Sequence, residues 1–255
     1  NYSTGATSYN WIFNDGTFSS NVHTVHTYIN TSQNTLLREA QLVAISDFGC
    51  IDTSDAQTIE IFPQPHAQFT TNNVSGCSPL HIHIEDNSIG AEEYMWIYGN
   101  GKESNQLNPK QLYENKDGDI RQDEIKLFVK NQYECKDTAT QTITVYPQVI
   151  ADFSPEISGC SPLLVQFSNH SQYGESYSWD FGDEKVSTDK NPYNTFLNNS
   201  VSDTTYSVRL IGNNHFSCRD TVYKTIHVYP SITASFVADT LIGCSPMSTK
   251  LLSTT

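Results

Sequence analysis

Self-similarity is the feature that most constrains this chain. Tyr9-x-Trp11 returns as Tyr94-x-Trp96 and Tyr177-x-Trp179, with the tryptophans 85 and then 83 residues apart. Cys50-x-Asp52-Thr53 returns as Cys135-x-Asp137-Thr138 and Cys218-x-Asp220-Thr221. Gly76-Cys77-Ser78-Pro79 returns as Gly159-Cys160-Ser161-Pro162 and Gly243-Cys244-Ser245-Pro246. Phe62-Pro63, Tyr146-Pro147 and Tyr229-Pro230 each close an alternating run and precede another aromatic, at Phe69, Phe153 and Phe236. Such a period is far longer than that of solenoid repeats and suits a string of small domains.

Between Pro147 and Pro230 the apolar residues alternate in short runs broken by Gly, Pro and Asn, which predicts strands rather than helices. Ala151–Ser154, Pro162–Phe167 and Tyr177–Phe181 read as the first three, two more lie within Asp189–Thr205, and Tyr206–Leu210 with Thr221–Val228 closes the unit as a hairpin. The expected fold class is all-β: tandem seven-stranded immunoglobulin-like β-sandwiches in a rod. Ile82/Val165, Ile84/Phe167, Ile125/Val208 and Leu127/Leu210 recur on one face and form the expected core, and Trp11, Trp96 and Trp179 recur mid-strand as its centre. The expected domains are residues 1–63 (a partial unit), 64–147, 148–230, and 231–255 (the N-terminal stub of a fourth), so the chain reads as a cut fragment. Single prolines link the units and stiffen each joint.

Trp179-Asp180-Phe181-Gly182-Asp183, followed by Asn191-Pro192, Phe196 and Tyr206-Ser-Val208-Arg-Leu210, resembles the polycystic kidney disease (PKD) domain family over a whole unit. The other units keep the Trp, the aromatic two residues later and a Gly-containing turn, but read Trp11-Ile-Phe-Asn-Asp15-Gly16 and Trp96-Ile-Tyr-Gly-Asn100-Gly101, so Asp180 does not recur. With the Gly-Cys-Ser-Pro and Cys-x-Asp-Thr signatures, the chain is similar to tandem PKD arrays of very large surface proteins of gliding or type 9-secreting Bacteroidota. That resemblance implies an exported adhesin or structural stalk without chemistry of its own. It also implies a short O-glycosylation signal at Thr138, Thr204, Thr221 and Thr240, although a structural Asp-Thr turn explains Thr138 and Thr221 equally well.

Charge removes further function classes. Of 255 residues, 14 are basic and 28 acidic, for a net charge of −14 with no basic cluster, which disfavours nucleic acid and anionic lipid as partners. No apolar run approaches the roughly 18 residues of a membrane helix. Gly-x-Ser-x-Gly, phosphate-cradling loops and His-Glu-x-x-His are missing, so no enzyme and no cofactor are expected. His81-x-His83 and His23-x-x-His26 could place imidazoles together, yet neither pair recurs: His81 and His83 should face solvent, and His26 aligns with Gln111 and Asn194 as a hydrogen-bonding loop residue. Asp117-Gly-Asp119 with Asp123 and Glu124 lacks the spacing of a calcium loop and reads as a polar loop.

The six cysteines are spread singly, which excludes zinc and leaves disulfides. Pairing within a unit would join Cys77 to Cys135 and Cys160 to Cys218, but the two signatures lie at opposite ends of a sandwich, more than about 20 Å apart. Head-to-tail stacking brings the first turn of one unit toward the last hairpin of the next. Cys77–Cys218 is therefore the expected staple, the intra-unit pairs being the alternative, with Cys50, Cys135, Cys160 and Cys244 finding partners in units beyond the chain. The resulting expectation is a non-catalytic stalk, extracellular on a bacterial outer surface, whose partners are neighbouring repeats and, through other parts of the protein, a surface glycan or protein. The alternative is a set of accessory carbohydrate- or protein-binding modules of a secreted hydrolase.

Overall fold

Alternation decides the architecture. In Leu80–Asp86, Leu80, Ile82 and Ile84 are buried, while His81, His83 and Glu85 between them are exposed. Such a strand has one face for a core and one for water. The computed structural model describes residues 1–253, and no helix occurs among them. The chain divides into two compact units, Asn1–Glu114 with Ile120–Val145, and Asn115–Asp119 with Tyr146–Thr255.

The first unit opens with a single sheet in the order Phe18–Ser19, Ser8–Ile12, Leu36–Ile45, Ile51–Thr53, with Gln57–Ile61 paired to the first half of Leu36–Ile45. A two-layered sandwich follows. Its larger sheet runs Glu103–Ser104, Glu93–Tyr98, Arg121–Lys130, Lys136–Tyr146, Ser75–Cys77, and its smaller sheet runs Lys110–Tyr113, Leu80–Asp86, Phe69–Thr71. Ile82, Ile84, Trp96, Tyr113, Ile125, Leu127, Ile143 and Val145 fill the space between the layers.

The second unit repeats this plan. Ser158–Cys160, Arg219–Tyr229, Thr204–Asn213, Ser176–Asp180 and Val186–Ser187 form the larger sheet. In the other layer Phe153–Ser154 pairs with Ser168–Asn169, and Leu163–Gln166 with Tyr193–Phe196. Phe153, Val165, Phe167, Trp179, Val208, Leu210, Ile226 and Val228 form the core. A hairpin of Phe236–Ala238 and Leu251–Ser253 completes the described strands. The protein is thus all-β, built of immunoglobulin-like sandwiches.

Two details depart from expectation. The Gly-Cys segment is not merely a turn between the first two strands: Ser158–Cys160 is itself a strand, parallel to Arg219–Tyr229, with Cys160 opposite Tyr229. Trp96 and Trp179 are fully buried, but Trp11 is only partly so.

Candidate functional site: the joints between repeats

Each repeat uses the same internal fastenings. The indole N–H of Trp11, Trp96 and Trp179 donates to the carbonyl ten residues later, of Asn21 (3.0 Å), Gln106 (2.8 Å) and Asp189 (2.9 Å). The hydroxyls of Tyr9, Tyr94 and Tyr177 donate to the carbonyls of Ala6, Ala91 and Gly174. These bonds satisfy the polar ends of the aromatic residues, whose bodies pack in the cores at Tyr94, Trp96, Tyr177 and Trp179.

A second set of fastenings gathers where one repeat passes into the next. In the first unit, Asn131 Nδ2 donates to the Pro63 carbonyl at 2.8 Å, while its Oδ1 accepts from the backbone N–H groups of Tyr133 and Cys135. Phe62 stacks on Tyr133, with ring centroids 4.4 Å apart and planes 7° from parallel. Asp137 Oδ2 accepts from Ala67 N–H at 2.8 Å. In the second unit, Asn214 Nδ2 donates to the Pro147 carbonyl at 3.4 Å and its Oδ1 accepts from Phe216 and Cys218. Tyr146 stacks on Phe216 at 4.7 Å and 5°, and Asp220 Oδ2 accepts from Ala151 N–H at 2.9 Å. The aspartates of the Cys-x-Asp-Thr signature therefore hold the backbone just beyond the linker proline.

A third device ties the loop before each long hairpin. The Nδ2 groups of Asn30, Asn115 and Asn198 each donate at 2.8 Å to a carbonyl four residues on, of Asn34, Asp119 and Ser202. Asn30 and Asn198 also donate at 2.7 Å to Ile61 and Val228, the ends of the last strands. Sequence reasoning passed over these asparagines, although their spacing of 85 and 83 residues matches that of the tryptophans.

The cysteines separate clearly. Cys77 and Cys218 are disulfide-bonded, whereas Cys50, Cys135, Cys160 and Cys244 hold free thiols. The alternative pairs, Cys77 with Cys135 and Cys160 with Cys218, are not formed. Cys160 lies opposite Tyr229 and Cys218 just precedes Arg219, at the two ends of an 11-residue strand. That separates them by about 30 Å, against a limit of about 7 Å between bonded Cα atoms.

The other candidates are scattered among separate partners. His26 Nε2 lies 2.6 Å from Asp15 Oδ2 and its ring stacks on Phe13 at 4.0 Å, while His23 approaches the terminal amine instead. Hydrogen bonds from Thr17 and then His26 hold the Asp15 carboxyl down at about 2. At the equivalent turn, Asn194 Nδ2 donates to Asp183. Burial opposes ionisation of Asp183, but the hydrogen bonds from Asn194 and Lys185 outweigh it and its pKa is lowered. His81 and His83 are exposed. Asp123 is buried against Arg121, in a two-point contact at 2.7 and 3.0 Å, and Glu124 pairs with Lys126 at 3.0 Å. Among the described residues, no three His, Cys, Asp or Glu side chains group to hold a metal ion. An open groove on the first unit is lined by residues including Glu93, Met95, Phe128, Lys130 and Lys136, and in it Lys130 pairs with Glu93 at 2.9 Å.

No family model matches this chain, and no curated protein matches it. Solved structures resemble it as follows. The PKD1 domain of the Vibrio cholerae metalloprotease PrtV is 24% identical, covering 32% of this chain and 98% of that one at a TM-score of 0.28. Fibronectin(III)-like modules of Clostridium thermocellum CbhA are 6% identical, covering 64% and 94% at a TM-score of 0.29. Drosophila N-cadherin EC1-4 is 10% identical, covering 90% and 67% at a TM-score of 0.34. No helix among the described residues is long and apolar enough to cross a membrane.

Proposed function

We propose that this chain is a run of structural spacer modules from an extracellular protein, a stalk of the kind that carries an adhesin away from a cell surface. The modules are residues 1–63, 64–147, 148–230 and 231–255. The observation that carries the reading is the repetition of the joint, with the same Asn, Asp and stacked aromatic pair at both linker prolines. A joint fastened this way transmits load through fixed backbone rather than through a slack linker. The disulfide-bonded state of Cys77 and Cys218 supports an oxidising compartment, and in this reading the two are bonded to each other as a staple. The exposed aromatics Tyr193 and Tyr223 do not repeat: they stand where the preceding repeat has Lys110 and Thr140, which favours a spacer over a repeated ligand-binding strip on those strands. Non-reducing peptide mapping tests the staple. A linked Cys77–Cys218 peptide is expected, and any other partner for either cysteine overturns it.

A further inference from the structure

The two joints share their fastenings but differ at one contact. The loops Asn30–Asn34 and Asn115–Asp119 are closed by their asparagines at 2.8 Å, so each holds its fourth residue in a fixed place, Gln33 in one and Gly118 in the other. Opposite each lies the residue after an isolated bridge: Gly90 follows Ile89 and Tyr173 follows Gln172, equivalent positions 83 residues apart. At the first joint a Cβ added to Gly90 would stand 2.8 Å from Gln33 Oε1. At the second, a Cβ added to Gly118 would stand 3.0 and 3.1 Å from Cε1 and Cδ1 of Tyr173. Long side chain and glycine have changed sides. Gln33 and Gly90 belong to the first compact unit, Gly118 and Tyr173 to the second.

Backbone preference does not explain the exchange. Gly90 has φ +71° and Tyr173 φ +58°, the same left-handed conformation. Glycine adopts it freely, whereas a tyrosine there carries strain that persists only where its surroundings hold it. What Tyr173 faces is Gly118. That glycine lies outside the left-handed region, so its contribution is space: any side chain there would press its Cβ against the ring, inside the roughly 3.5–4.0 Å at which carbon atoms rest.

We propose that this pair is a size-complementary key that fixes which repeat can follow which, an inference that rests on the chain being a run of spacer modules. The repeat of residues 64–147 offers a glycine to both neighbours: Gly90 takes glutamine from the repeat before it, and Gly118 takes tyrosine from the repeat after it. Were the third repeat to follow the first, Gln33 and Tyr173 would compete for one space. Were the second to follow a copy of itself, Gly118 and Gly90 would leave that space empty. Repeats so alike in their Asn, Asp and aromatic fastenings are exposed to docking out of order as they fold. Specificity is the difference between right and wrong partners, and this contact penalises each wrong neighbour, by crowding or by a gap.

Timed proteolysis of the whole chain near Pro147 tests the key, with variants that mimic the wrong neighbours. Gly118→Gln reproduces the crowded pair and Tyr173→Gly the empty one, and each should speed cleavage about 5-fold by opening the joint. Gly118→Gln combined with Tyr173→Gly rebuilds the first joint's pair at the second, and should bring cleavage back to within about 2-fold of wild type. Unchanged cleavage in either single variant overturns the proposal. So do single effects that simply multiply in the double variant. Non-reducing mapping of Cys77 and Cys218 on the same samples reports the staple, so the spacer reading and the key fail separately.

Discussion

The three tryptophans share a sequence context but not an environment, and energetics should follow environment. Trp179 is fully buried among Phe153, Phe167 and Phe181 and donates to Asp189. Trp179→Ala should cost about 3–5 kcal/mol through lost burial and the cavity left behind, and Trp11→Ala less than about 2 kcal/mol. Urea unfolding of the two variants checks the ranking, and equal losses would refute it. Asp15 gives a pH prediction. Its carboxyl is held at about 2, chiefly by Thr17, below its ordinary 3.8. A depressed carboxyl contributes stability above its unfolded value and loses it as pH falls through the folded one, so the turn Asn14–Thr17 should persist to about pH 3 and loosen toward pH 2. Carboxyl carbon NMR should show a midpoint near 2, moved upward by Thr17→Val.

The decisive elements are the hairpins that carry Cys-x-Asp-Thr, because their turns reach back to the chain entering the sandwich. Asn131 is buried and serves three backbone groups at once. Asn131→Ala leaves those groups without their partner and should cost about 2–3 kcal/mol, with faster proteolysis near Pro63. Thermal melts and timed digestion would measure both, and a variant as stable and resistant as wild type would remove Asn131 from the joint.

For the molecule as a whole, the staple reading predicts how the sandwiches communicate. If Cys77 and Cys218 bond to each other, the double variant Cys77→Ser with Cys218→Ser should unfold at lower temperature, with a loss of up to about 5 kcal/mol from restored chain entropy. Calorimetry under non-reducing conditions would detect it, and a melting profile identical to wild type would argue against the staple. The net charge of −14 favours solubility through like-charge repulsion between copies.

Much of this protein was legible in the one-dimensional record. The period, the strand class, the inward register of Ile82, Val165, Ile125 and Val208, and the burial of Trp96 and Trp179 follow from alternation and recurrence, which depend only on local spacing. Opposite ends of a strand are also calculable from its length, which disfavours the intra-unit cysteine pairs before any coordinates are known. What tertiary structure alone decided lies in contacts between distant residues, such as Asn131 on Pro63 and Asp220 on Ala151. These depend on which surface meets which in space. A repeat pattern announces the residues but does not encode that proximity.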